Sequence, residues 1–201
     1  MKTILFAIAL PIEFKIIKQY FIENKPINFK VDFVLTWVWN LSTIYNLKDY
    51  LDKKQKPDFL VNIWVCWKSN WWNDDLFQVY KIKNLSNFKE AISPVYIDFL
   101  ELKKIICSEE VLTSNEKMQN YQYVDMESFW FDYVASKEKI PYIIIKKPFD
   151  EVWDNSKKLS LKDLENSLKN IDFELLLQKI SEYLENNKPI LEERELDKFK
   201  K

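Results

Sequence analysis

The chain contains no glycine in its 201 residues, and this absence restricts how its backbone can turn. Average usage of about 7% would give roughly 14 glycines in a chain of this length. Tight corners often need a residue at positive φ, and glycine takes that conformation without the clash of a Cβ atom. A folded chain of this composition therefore has to place larger residues at its corners.

All eight tryptophans stand at places where glycine would be expected. The segment VDFVLTWVWNLSTIY, residues 31–45, has the pattern of a strand that passes directly into a helix, and Trp37 and Trp39 occupy the change. Three of the eight precede Asn or Asp, which is the context of Gly-Asn and Gly-Asp turns. The eight are Trp37, Trp39, Trp64, Trp67, Trp71, Trp72, Trp130 and Trp153.

These tryptophans allow two interpretations. In the first, the indoles pack in the core or form a binding face, although Trp71 and Trp72 in the polar loop SNWWND would then expose a large apolar area. In the second, which we favour, each tryptophan stands for a glycine, because some bacteria read the codon UGA as glycine where other codes read it as tryptophan. This hypothesis requires every glycine of the chain to use UGA, and UGG codons at positions 37, 39, 64 and 67 would contradict it.

The overall charge and the missing histidine narrow the possible functions. The net charge is −1 and the isoelectric point is about 5.8, so the charge favours neither nucleic acid nor an anionic membrane as a partner. The chain has no histidine, which removes Ser-His and Cys-His catalysis and the commonest metal ligand. Acid–base chemistry would therefore fall to carboxylates.

The cysteines and the first residues bear on the compartment. Cys66 and Cys107 lie in apolar runs and indicate reduced, buried thiols in a cytoplasmic protein, with one disulfide as the alternative. The apolar run at residues 4–10 is short for a secretory signal and ends at Pro11, which favours a first buried strand. No apolar stretch approaches the length of a transmembrane helix.

Strand and helix patterns alternate along the chain. The alternation predicts one α/β domain over residues 1–189, built on a central and mostly parallel sheet, with a charged tail at residues 190–201. The predicted strands are residues 4–10, 33–36, 57–65, 76–82, 103–107, 121–124 and 141–147. The predicted helices are residues 13–21, 40–51, 127–139, 161–169 and 173–184.

With glycine at the tryptophan positions, five segments resemble, in order, the nucleoside phosphorylase/nucleosidase superfamily. The closest branch is that of the 5′-methylthioadenosine/S-adenosylhomocysteine nucleosidases, and the resemblance extends over roughly residues 3–155. The segments are ILFAIALPIEF (first strand and acidic corner), VLTWVWN (glycine turn), PDFLVNIWVCWKSN (glycine-rich substrate loop), YVDMESFWFDYVA (ribose motif) and IPYIIIKKPFD (last core strand). VDMES and the last segment together are fairly specific for the family, whereas any one segment alone is a weak signal.

The resemblance implies both a fold and an activity. The fold is a three-layer α/β/α sandwich with a central mixed, mostly parallel, partly barrel-like sheet, usually in a dimer or larger assembly, and we therefore expect a homodimer. The activity is cleavage of the N-glycosidic bond of a purine nucleoside. No cofactor is expected, nor any nucleic acid or membrane partner.

Cleavage through a ribosyl cation needs an acid for the leaving base and a base for the attacking water. By resemblance, Glu13 at the end of the first strand is the base, and Asp150 at the end of the last core strand is the acid that protonates N7 of the purine. The residue types alone leave simpler alternatives open. Glu13 is also a first-turn glutamate favoured by the helix dipole, and Asp150 is also a turn or capping aspartate.

Substrate-binding residues are also implied by the resemblance. Glu127 would hold the ribose hydroxyls as a charged acceptor, and Met126 would pack on the sugar. Val111 and Leu112 match the segment whose backbone edges read the purine. A glutamate at a helix start is common, but the sequence Asp-Met-Glu between a strand and a helix favours a functional interpretation.

The glycine-rich loop and the last strand depart from the family pattern. At Trp64 glycine would let the backbone approach the substrate, whereas an indole would fill the pocket. Val65 replaces a common hydroxyl residue, Phe149 a common serine, and Lys146 the usual arginine. Phosphate is usually held by arginines, and the one arginine is Arg194 in the tail, so we expect water as the nucleophile. A phosphorylase and a non-catalytic nucleoside-binding protein are the alternatives.

Overall fold

The structure, a computed structural model, describes residues 1–26, 28–69, 75–98, 100–112, 118, 121–151, 162, 165–166, 168 and 171–186, with the backbone alone at residues 150 and 151. The strands are β1 (Lys2–Ile8), β2 (Phe29–Leu35), β3 (Phe59–Lys68), β4 (Phe77–Asn84), β5 (Glu90–Ile92), β6 (Glu101–Cys107), β7 (Tyr123–Asp125) and β8 (Tyr142–Glu151). The helices are α1 (Pro11–Glu23), α2 (Asn40–Lys53), α3 (Ser128–Glu138) and α4 (Phe173–Asn186).

The strands form one mixed sheet that partly closes on itself. β1 lies between β2 and β3 and is parallel to both. β3 pairs with β8 on one side and with β7 on the other, while β4 pairs with both β8 and β6, and β6 pairs with β7. The ring β3–β8–β4–β6–β7 is therefore closed, and β5 extends the sheet from β4. This architecture confirms the predicted mixed, mostly parallel, partly barrel-like sheet.

Helices cover both faces of the sheet, as the alternation of side chains along the buried strands requires. In β1, Ile4, Phe6 and Ile8 belong to the apolar cluster that includes residues of α1 and α4. Leu5 and Ala7, which point to the opposite face, belong to the cluster that includes residues of α2 and α3. The predicted three-layer arrangement is thus confirmed.

The corner between β2 and α2 has the unusual backbone that the sequence suggests. Trp37 has φ 62° and Trp39 has φ 92°, and both side chains are 50% exposed. Thr36 donates its backbone N–H to the carbonyl of Ile8 at 2.8 Å, which ties the end of β2 to the end of β1. Thr43 donates its hydroxyl to the carbonyl of Trp39 at 3.1 Å inside the first turn of α2. The chain therefore turns within three residues, from Trp37 to Trp39.

The element boundaries differ from the predicted ones mainly at strand ends. β5 is absent from the sequence prediction, and β3 continues three residues beyond its predicted end. Most of the predicted helix at 161–169, and all of the tail at 190–201, lie outside the described residues, so the domain limits stay a prediction. Within the described ranges, no helix is long and apolar enough to cross a membrane.

Candidate active site

A cavity of about 240 Å³ lies at the carboxyl ends of β1, β3 and β8, beside the start of α3. Ligands of α/β proteins characteristically bind at this end of the strands. The walls are mostly apolar side chains, and two glutamates are the acidic residues among them. The lining residues are Ala9, Leu10, Glu13, Val38, Trp39, Trp64, Val65, Cys66, Trp67, Val111, Met126, Glu127 and Phe149.

Glu13 is fully buried at the cavity wall, in the first turn of α1. Its two carboxylate oxygens accept backbone hydrogen bonds, Oε1 from Val65 N–H at 3.2 Å and Oε2 from Leu10 N–H at 3.3 Å. Burial raises the pKa of Glu13 to about 7, because it outweighs those two hydrogen bonds and the nearby charge of Lys146. The carboxylate is therefore fixed in position and changes charge near neutral pH.

Glu127 and Met126 reach the same cavity from the short turn between β7 and α3. Both are buried, and Met126 donates its backbone N–H to Glu127 Oε2 at 3.1 Å. Burial, reinforced by the charge of Asp125, raises the pKa of Glu127 to about 8. With a pKa of about 8, Glu127 is mainly a neutral acid at pH 7, and hydrogen-bond donors from a ribose would favour the charged form expected from the sequence.

A buried ion pair lies behind these two glutamates. Lys146 Nζ is 2.6 Å from Asp125 Oδ2, and both side chains are essentially inaccessible to solvent. The contact lacks the angles of a hydrogen bond, so the ammonium has no hydrogen-bonded partner among the described residues. Asp125 also accepts hydrogen bonds from the backbone N–H of Ser128 at 3.2 Å and from its hydroxyl.

Tryptophan side chains occupy much of the space around the cavity. Trp64 is only 2% exposed, and its ring centre lies 4.5 Å from Lys146 Nζ. Its Nε1 is buried without a hydrogen-bond partner among the described residues. Trp67 and Trp39 line the cavity on the β3 side and at the β2–α2 corner.

The remaining predicted site residues are distributed as follows. Val65 and Val111 line the cavity, and Val111 is 53% exposed. Leu112 is not among the lining residues and packs with Ile106 and its neighbours in a small apolar cluster. The backbone of Asp150 lies in β8, opposite Trp67 of β3, and its side chain lies outside what the structure describes. The structure therefore brings Glu13, Glu127, Met126, Trp64, Val65 and Val111 together around one cavity.

Sequence reasoning missed the buried pair and part of the wall. Asp125 has no predicted role although it belongs to the VDMES segment, and Lys146 is named only as a replacement for the usual arginine. The available signal was that Lys146 and Lys147 directly continue the apolar run YIII, because a lysine that follows such a run into the core needs a partner. Among the described residues, no group of three or more Cys, Asp or Glu side chains is arranged to hold a metal ion.

Comparison with known proteins gives a fold but no relative of high identity. No family model and no curated protein matches the chain. The 5′-methylthioadenosine/S-adenosylhomocysteine nucleosidase (MTAN) of Campylobacter jejuni matches with a TM-score of 0.74 and 12% identity, over 90% of this chain and 100% of that chain. The MTAN of Chlamydia trachomatis bound to MTA matches with a TM-score of 0.67 and 18% identity, over 89% and 100%.

A third structure agrees with these two. The nucleosidase of Neisseria meningitidis, in complex with methylthio-immucillin-A, matches with a TM-score of 0.63 and 11% identity, over 84% of this chain and 97% of that chain. The three matches span nearly the full length of the known structures. The chain therefore has the fold of the 5′-methylthioadenosine/S-adenosylhomocysteine nucleosidases, as the resemblance of its motifs implies.

Proposed function

We propose that the protein hydrolyses the N-glycosidic bond of a purine nucleoside of the methylthioadenosine type. The observation that carries this proposal is the pair of buried glutamates, Glu13 and Glu127, which reach one apolar cavity from different elements. A cavity of this kind, with few polar groups and strongly shifted carboxylates, is typical of a site for a small organic substrate. The neighbours of the same fold that were solved with MTA and with methylthio-immucillin-A support the substrate class.

Glu13 has the properties of the general base that activates water. A base works best when its pKa is close to the operating pH, and the pKa of Glu13 is about 7. The hydrogen bonds from Val65 and Leu10 leave the carboxylate little freedom to rotate. Water held against its free lone pairs would stand next to the sugar in the cavity.

Glu127 and Met126 suit the ribose. A carboxyl group with a pKa of about 8 can donate to one hydroxyl or, once a sugar supplies donors, accept from two. Met126 presents a flexible apolar surface beside it, which packs well against a sugar face. The backbone edges near Val111 and Leu112 are proposed to face the purine.

Asp150 is the proposed acid for the leaving base. Its backbone stands at the carboxyl end of β8, next to Phe149, which lines the cavity. Protonation of N7 by Asp150 and attack of water activated by Glu13 would place two carboxyl groups on opposite sides of the glycosidic bond, as in inverting glycosidases. Residues Trp64 and Val65 form the wall of β3 that the substrate would meet.

Water is the favoured nucleophile. None of the thirteen described residues that line the cavity is a lysine or an arginine, whereas a phosphate site normally contains such cations. Phosphorolysis and nucleoside binding without turnover remain the alternative functions, and the substitutions at Val65 and Phe149 are the basis for the second. The expected homodimer and the cytoplasmic location stay predictions.

One assay separates the three functions. Two proteins are assayed, one with tryptophan and one with glycine at the eight positions. Each is incubated with methylthioadenosine, adenosine and inosine, with and without inorganic phosphate, and the free base is measured. Release without phosphate indicates a hydrolase, and release only with phosphate a phosphorylase. Binding of a nucleoside without release indicates the non-catalytic alternative and contradicts the proposal.

Removal of either proposed catalytic carboxyl group should abolish base release. Glu13→Gln and Asp150→Asn are each expected to lower the rate at least roughly 100-fold, the scale of general acid–base catalysis. Glu23→Gln, at the exposed end of the same helix as Glu13, is the matched control and should leave the rate unchanged. Full activity in the Glu13 or the Asp150 variant would refute the role given to that residue.

A further inference from the structure

Three carboxyl groups and one ammonium group are buried at the cavity wall and directly behind it. The side chains of Glu13, Asp125, Glu127 and Lys146 are between 0% and 4% exposed. Lys146 is not among the residues that line the cavity, because the ring of Trp64 lies over its ammonium group at 4.5 Å. With Trp64 in place, Lys146 therefore acts on a bound substrate through its neighbours.

Asp125 holds both ends of the turn that carries Met126 and Glu127. Its carboxylate accepts from the N–H and the hydroxyl of Ser128, which begins α3, and it contacts Lys146 Nζ of β8 at 2.6 Å. The two residues between Asp125 and Ser128 are the ones that line the cavity. The ion pair thus fixes this turn against β8.

The ammonium group also influences the ionisation of the two cavity glutamates. The groups that interact with Lys146 are Glu13 of α1, Cys66 of β3, Cys107 of β6, Asp125 of β7 and Glu127 at the start of α3. Its positive charge lowers the pKa of Glu13 and Glu127, and the negative charge of Asp125 raises the pKa of Glu127. The two members of the pair therefore act on Glu127 in opposite directions.

We propose that Lys146 and Asp125 are positioning residues of the active site, which hold the Met126–Glu127 turn, bias the ionisation of Glu127 in opposite directions and, through Lys146, also bias that of Glu13. This inference rests on the proposed function for its activity readout. The pair does not touch substrate. It acts through the two glutamates.

The test uses variants of nearly the same shape in the full chain. Lys146→Met removes a positive charge that lowers the pKa of Glu13, so the acidic limb of the pH–rate profile should move upward. Lys146→Arg keeps the charge, so its limb should stay close to the parent value. Asp125→Asn keeps an acceptor for Ser128 and removes the charge that raises the pKa of Glu127, so its effect is read in the stability measurement that follows. An acidic limb that does not move in Lys146→Met, or that moves equally in Lys146→Arg, would overturn the inference.

A second measurement, the pH dependence of thermal unfolding, does not depend on turnover. A glutamate whose pKa is raised from 4.5 to about 8 by folding binds more protons in the native state, so stability falls as the pH rises between these values. The fall should continue to higher pH in Lys146→Met and end at lower pH in Asp125→Asn. If the parent releases no base but these shifts occur, the proposed function fails and the charge role stands. If the parent is active and neither the acidic limb nor the pH dependence of stability shifts, the role proposed for Lys146 and Asp125 is wrong and the proposed function stands.

Discussion

The β2–α2 corner and the second half of β3 both carry tryptophans, but tryptophan fits the two regions poorly for different reasons. At the corner the limit is the backbone, since Trp37 and Trp39 have φ 62° and 92° and their rings are half-exposed. In β3 the limit is volume, since Trp64 lies in an extended strand without positive φ, is 2% exposed, and borders the cavity beside Trp67. Glycine would relieve strain in the first region and free space in the second.

The glycine hypothesis has two consequences, relief of backbone strain at the corner and removal of side-chain volume in β3. The sequence alone does not distinguish them. Trp39 combines φ 92° with ψ 145°, a region that is essentially reserved for glycine. Positive φ is not restricted to tryptophan, because Phe88 and Lys139 also have it in this glycine-free chain. The conformation of Trp39 is therefore stronger support for glycine than a positive φ alone, and the reading of UGA as glycine stays a hypothesis.

The largest expected effect follows substitution in the strand. Trp64→Gly should raise the rate of base release on the order of 100-fold over the parent protein. A substrate displaced by the Trp64 indole cannot reach Glu13 in the geometry that catalysis needs. The change also removes the ring that covers Lys146. Initial rates with methylthioadenosine, corrected for the folded fraction, measure it.

Trp130→Gly is the matched control for this prediction. Trp130 lies in α3, its Nε1 is also buried without a partner among the described residues, and it does not line the cavity. Its replacement should destabilise the protein by at least about 1 kcal/mol, because glycine lowers helix propensity and the ring contacts with Phe129 and Tyr133 are lost, and it should leave the rate per folded molecule unchanged. If the rate of base release rises equally in both variants, or does not rise in Trp64→Gly, the volume of the Trp64 side chain does not limit catalysis, and volume does not distinguish β3 from the corner.

Most of the fold could be predicted because long segments carry a clear period. The start of α2 at Asn40 and the start of α4 at Phe173 match the prediction, and β1 was recognised from its continuous apolar run. β5 was missed because Glu90–Ile92 is only three residues long and lies at the sheet edge, where burial imposes little pattern. Closure of the barrel could be anticipated only from the family resemblance, since periodicity does not say which strands are neighbours.

The site was only partly predictable for the same reason. Glu13 and Glu127 were found through the resemblance, and both line the cavity. The contact between Asp125 and Lys146 depends on β7 and β8 flanking the same strand, β3, and no local pattern encodes that placement. The raised pKa values of the two glutamates likewise come from burial by distant segments.

A smaller effect is expected at the corner. Trp39→Gly should stabilise the protein by about 2 kcal/mol relative to Trp39→Ala, because both variants lose the same half-exposed ring and only alanine keeps a Cβ atom at φ 92°. Denaturant midpoints of the two variants measure the difference. Equal midpoints would show that the backbone at the corner is not strained. The corner and β3 would then differ only in how far their tryptophan side chains are exposed to solvent.

The smallest effect is expected at Trp37, where φ is 62° and close to the left-handed helical value. Trp37→Gly should exceed Trp37→Ala in stability by about 1 kcal/mol. Lys139, which ends α3 at φ 54° and ψ 44°, provides the matched pair, and Lys139→Gly should exceed Lys139→Ala by a similar amount. If the Gly–Ala difference is as large at Lys139 as at Trp39, strain in this chain is a general cost of lacking glycine. If it is largest at Trp39, the corner is the place where the backbone itself requires glycine.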